Sequence, residues 1–139
     1  MKSTPYFTLL CAAFILVAAL TSDAHAFLYY QKVSFKLNAS PIFSDLLITS
    51  DIHLNSKFYL TQKLGHISAF GFLYFLLYLW IRKPNKAFVI CTLFALSTEI
   101  IQLYFGRNGR LYDVGIDMIG VGLAYLVCWW REGRNSYLC

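Results

Sequence analysis

Several of this chain's chemically capable side chains recur at helical spacing within or beside strongly apolar sequence. Glu99 and Gln102 are three residues apart, and Asp113 and Asp117 are four apart, so each pair falls on one face of a helix. His66 follows Lys63 by three residues, while Arg107 and Arg110 stand between the two acidic pairs. Neighbouring carboxylates and an imidazole in low dielectric suit general acid or base work, and guanidinium groups pair bidentately with phosphate. The candidate catalytic set is therefore His66, Glu99, Gln102, Asp113 and Asp117, and the candidate substrate-binding set is Lys63, Arg107 and Arg110. No cofactor or metal is expected. A lesser alternative is an oxygen-rich Mg or Mn site on His66, Glu99, Asp113 and Asp117. The plainer reading is that Arg107 with one Asp, and Glu99 with Gln102, only pin a helical hairpin.

What must position these groups is set by composition. Of the 139 residues, 58% are hydrophobic and 14% charged, against roughly 45–50% and about 25% for a soluble domain. The mean hydropathy is +0.55. The apolar excess falls in four blocks, 6–22, 64–81, 87–105 and 113–130, near the roughly 20 residues that cross a hydrocarbon core. The expected fold is all-α, a single membrane domain of four antiparallel transmembrane helices with an external loop over 23–63. That loop carries no repeat and no clear helix or strand signal. Gly115, Gly120, Gly122 and Ala124 are small residues suited to close helix approach, and Tyr6, Tyr29, Tyr30, Trp80, Trp129 and Trp130 fit an interfacial belt. The first block has a second reading, a secretory signal peptide ending at Ala24-His25-Ala26, which mass spectrometry of the mature amino terminus distinguishes.

Charge sets the expected orientation. Twelve Lys and Arg face seven Asp and Glu, but no Lys/Arg-rich run of nucleic-acid-binding type occurs, so no nucleic-acid partner is expected. Six basic residues fall on each side of a four-span arrangement, and Arg82-Lys83-Pro84-Asn85-Lys86 is the densest cluster at span ends. The positive-inside rule then places both termini in the cytoplasm, in an integral, multi-pass protein of the cytoplasmic membrane. Glu99, at roughly 9 Å below its helix end, Gln102, Asp113, Asp117 and His66 all fall in the external half. Cys11, Cys91 and Cys128 read as small buried hydrophobes and Cys139 as a free thiol at the tail. His53 reads as a solvated loop residue and His25 as interfacial.

Taken together, Lys63-Leu64-Gly65-His66, Phe70-Gly71, Glu99-Ile100-Ile101-Gln102, Gly106-Arg107-Asn108-Gly109, Asp113-Val114-Gly115-Ile116-Asp117 and Gly120 resemble the VanZ-like membrane proteins over about residues 63–130. The family often has Asn where this chain has Asp117. The resemblance implies a small four-helix protein of the cell envelope. It also implies a connection with antibiotic resistance, since the family is named for a protein linked to low-level resistance to teicoplanin, a lipoglycopeptide acting at the outer membrane face. The expected partner is a membrane lipid or lipid-linked envelope molecule.

Two functions remain open at this stage. One is a membrane-embedded hydrolase or transferase with Glu99 or His66 as base and Arg107 on an anionic headgroup, although neither HExxH nor GxSxG occurs. The other is a non-catalytic protein that binds or shields an amphipathic ligand. A transporter is disfavoured, because four short helices offer no inverted repeat.

Overall fold

A computed structural model describes residues 3–136. Lys2 and the Cys139 thiol lie outside the described residues, and the Arg134 side chain is likewise not described. Among the described residues there are five α-helices, α1 (Thr4–Leu20), α2 (Ala24–Tyr30), α3 (Lys57–Ile81), α4 (Pro84–Tyr104) and α5 (Leu111–Ser136), with a short 3-10 turn at Phe43–Leu47. Three stretches are long and apolar enough to cross a membrane, Lys57–Ile81, Pro84–Tyr104 and Leu111–Glu132, and α1 is a shorter apolar helix beside them. Together they make an all-helical, four-helix membrane bundle.

The helix boundaries follow local chemistry. The Ser56 hydroxyl accepts the Tyr59 N–H at 3.3 Å and starts α3 seven residues before the expected 64. Lys63 therefore does not precede the span. It belongs to an outer turn that extends beyond the apolar block, because 25 residues at 1.5 Å each reach about 37 Å, longer than a hydrocarbon core of roughly 30 Å. Arg82 ends α3 in the left-handed region at φ 56°, and Pro84 opens α4 where its missing N–H costs nothing. The 23–63 loop, expected to lack regular structure, contains α2, which is capped by an Ala26 N–H donating to Asp23 at 2.8 Å. Seven residues carry too weak a periodicity for that helix to be read from sequence alone.

α3 is central and packs most extensively on α5, with α1 on another flank and α4 closing the group. Phe70, Leu73, Tyr74 and Leu77 of α3 meet Cys91 and Ala95 of α4 and Val121 of α5, while Ile15 joins from α1. The closest approach is at Gly120, where a Cβ would overlap the Ile67 carbonyl. Gly115 and Gly122 differ from the expectation: nothing lies within 4 Å of a Cβ on either, so they do not face a helix contact. Outward-facing Leu9, Leu10, Phe14, Leu93 and Leu123 are exposed, which suits a lipid-facing surface. Cys11, Cys91 and Cys128 are free thiols within helices, as expected.

Candidate functional site

The 105–110 connector turns α4 back into α5 and is pressed against the last turns of α4. A side chain at Gly109 would overlap the Glu99 carbonyl, so only glycine permits this approach. The consequence is a backbone anchor: the Arg110 N–H donates to Glu99 Oε2 at 2.8 Å. Gln102, one turn along, donates its Nε2 to Glu99 Oε1 at 3.3 Å. Both side chains are buried.

Across from them, α3 and α5 present two further pairs. Lys63 Nζ lies 2.6 Å from Asp113 Oδ1, and His66 Nδ1 lies 2.9 Å from Asp117 Oδ1. Asp117 is wholly buried, and its Oδ2 has no hydrogen-bond partner among the described residues. One donor atom each from His66, Glu99 and Asp117 lies within 4.8 Å of the others. Asp113 is turned toward Lys63 instead.

The two arginines have different roles. Arg110 is buried and directed into the covering loop, where its Nε donates to Asp51 Oδ2 at 2.7 Å and its Nη1 to the Asp45 carbonyl at 2.7 Å. The Tyr112 hydroxyl donates to the other oxygen of Asp51 at 3.1 Å. Partial burial works against ionised Asp51, but the Arg110 hydrogen bond and charge outweigh it and hold its pKa below the usual value. Arg107 donates its Nη1 to the Thr21 carbonyl at 2.7 Å and makes no ion pair among the described residues. Burial lowers its pKa, against the pull of Glu99, Asp113 and Asp23, yet a guanidinium keeps its charge in a protein.

These groups border a polar cavity of about 600 Å³ between α2, the first turns of α3 and the connector. Lys63, His66, Gln102, Arg107 and Asp113 line it, whereas Glu99, Asp117 and Arg110 stand behind that lining. A second cavity of about 220 Å³, mostly apolar, opens between α1, α2 and α3 and is lined by Phe14, Ile15, Ala19, Phe27 and Phe70 among others. The two share Ala24, Phe58, Gln62, His66 and Arg107. Gln62 was not singled out in the sequence, although Tyr59, Gln62, Lys63 and His66 follow the i, i+3, i+4, i+7 pattern of one helix face. His25 and His53 also line the polar cavity. His25 sits in the short α2 and His53 in a loop, and neither offered a spacing by which to find it.

The family model described as VanZ/LLP1 matches residues 6–132. An uncharacterized membrane protein, YwnJ, of Bacillus subtilis (strain 168) is 34% identical over 112 residues, covering 81% of this chain and 80% of that protein. No solved structure matches.

Proposed function

The chain belongs to the VanZ/LLP1 family, and from that premise we propose that it receives an anionic, lipid-linked envelope molecule at the outer face of the cytoplasmic membrane. The observation that carries this reading is the junction of the two cavities. A ligand with its headgroup in the polar cavity and its chain in the apolar one is amphipathic by construction. Arg107 lines both and lacks a carboxylate partner among the described residues, so an anionic headgroup supplies the missing charge. Lys63 and Arg110 are already paired, with Asp113 and Asp51, which leaves them less free for that task.

The orientation proposed here rests on the basic Arg82-Lys83-Pro84-Asn85-Lys86 turn, at the opposite end of the bundle from the cavities. With that turn cytoplasmic, the cavities face outward, where lipid-linked wall precursors and lipoglycopeptides such as teicoplanin meet the membrane.

Two versions of the function differ in what happens to the ligand. In the enzymatic version, His66 at the cavity junction exchanges a proton with the headgroup while Asp117 orients its ring. In the binding version, the ligand is held unchanged. Extractable envelope lipids and teicoplanin sensitivity should be compared in cells with the chain, without it, and with Arg107→Gln at equal membrane abundance. The proposal expects a change in lipid species or in sensitivity that Arg107→Gln reverses. An unchanged profile and unchanged sensitivity in all three would overturn it. A consumed lipid selects the enzyme, and a co-purifying intact lipid selects the binder.

A further inference from the structure

From sequence, a metal enters only as the lesser alternative, an Mg or Mn site on His66, Glu99, Asp113 and Asp117. The side-chain geometry supports a different conclusion for three of the residues. His66, Glu99 and Asp117 each offer a donor atom within 4.8 Å of the other two, from three different helices. Donors at opposite sides of a divalent ion with bonds of about 2.1 Å are about 4.2 Å apart, and adjacent ones are about 3 Å apart. The 2.9 Å between His66 Nδ1 and Asp117 Oδ1 is a hydrogen bond close to the adjacent spacing, and its proton is released when the cation takes its place.

The local charge also calls for a cation. Lys63 is committed to Asp113 and Arg110 to Asp51, so Asp117 is left with the His66 imidazole, and Glu99 feels Arg107 through its charge without an ion pair. Buried charges are ordinarily paired or coordinate metals. Glu99 spends one oxygen on a backbone N–H and the other on an amide, but a carboxylate has about four acceptor positions. Asp117 adds an independent sign. Its Oδ2 is buried with no partner among the described residues, on a carboxylate that belongs to the trio.

We infer that His66, Glu99 and Asp117 form a binding site for one divalent cation of the Mn²⁺ type, at the edge of the polar cavity that His66 lines. The two carboxylates are donors that suit Mn²⁺, and the single imidazole nitrogen is the donor this site adds to them. Asp113, which the sequence placed beside these residues, is outside the set because Lys63 holds it. The site does not depend on an amphiphile filling the cavities. If both are present, the cation faces the headgroup and His66 serves as a ligand rather than a base.

Mn²⁺ itself is the probe. Detergent-purified chain, stripped with EDTA, is titrated while electron paramagnetic resonance reads free Mn²⁺, and pulsed measurements read coupling of the bound ion to nitrogen. The expected result is one saturable Mn²⁺ per chain with imidazole nitrogen coupling that persists in the His25→Ala, His53→Ala double variant. Asp117→Asn should weaken affinity at least tenfold, while Asp51→Asn should change it less than twofold. The coupling in the unsubstituted chain and the double variant remains informative even if Asp117→Asn fails to fold. No saturable binding, no nitrogen coupling, coupling abolished by the double variant, or equal weakening by Asp117→Asn and Asp51→Asn would each overturn the assignment.

Discussion

Toward the covering loop, α4 and α5 bury Glu99, Gln102, Asp113 and Asp117; toward the Pro84 turn, α3, α4 and α5 bury Leu77, Ala87, Cys91 and Cys128. The turn end has one prominent polar link, from the Tyr78 hydroxyl to Glu132. Lipid tails are as apolar as leucine, so the turn end is held by close packing and not by escape from water. The loop end cannot be explained by stability in the same way. Inserting one Asp at a helix centre costs about 2.5–3.5 kcal/mol, whereas a hydrogen bond between membrane helices returns about 0.6 kcal/mol. His66 gives Asp117 one such contact and leaves Oδ2 without a partner among the described residues. On the proposed function, the cluster is retained for ligand binding and not for stability.

The largest loss is expected where the two ends meet. Gly120→Val drives side-chain atoms into the Ile67 carbonyl and should separate α3 from α5, costing more than the roughly 1–3 kcal/mol of ordinary overpacking. Gly122→Val, with nothing nearby, should be close to neutral in the same thermal-unfolding assay. Equal losses would mean that the two glycines were wrongly distinguished.

Next in size is Glu99→Leu, which strands the Arg110 N–H and the Gln102 amide. It should destabilise by about 1–3 kcal/mol and abolish function. Leu77→Ala at the other end should keep function and cost less than the roughly 2–5 kcal/mol of a soluble core, since no hydrophobic term between helices is lost. Loss of function in Leu77→Ala at equal abundance would erase the difference between the two ends.

A pH change sharpens the comparison further, because the loop is strapped to the bundle by the Asp51–Arg110 pair. Asp51 has a lowered pKa in the folded chain, so the strap contributes fully above the ordinary carboxylate value of about 3.9. It is lost as pH falls through the lower folded value. Hydrogen exchange in residues 43–51 should rise in that acid window, and Asp51→Asn should remove the step while raising exchange at neutral pH. The smallest effect is expected for Ser56→Ala, which removes the α3 cap at a cost of about 1 kcal/mol or less and moves only the first turn.

Much of this was legible in the chain. Four apolar blocks gave the bundle, and the short connector with its paired acids brought Glu99, Gln102, Asp113 and Asp117 to one end. The register of α3 was less visible, because Lys63 looked like a boundary when it is an outer-turn residue bound to Asp113. The separate roles of Arg107 and Arg110 were not legible. They depend on where residues 43–51 fold, and no periodicity in that loop reports its return onto Arg110. The apolar cavity was hidden for a similar reason, since it exists only where α2 leans on α1 and α3.

On the proposed function, the loop end receives an anionic amphiphile through Arg107, which has no carboxylate partner among the described residues. Native mass spectrometry of the chain released from nanodiscs of mixed phosphatidylglycerol and phosphatidylcholine tests this directly. The account predicts preferential retention of the anionic lipid by the unsubstituted chain and loss of that preference in Arg107→Gln. Equal retention of both lipids, or a preference that Arg107→Gln leaves intact, would contradict it.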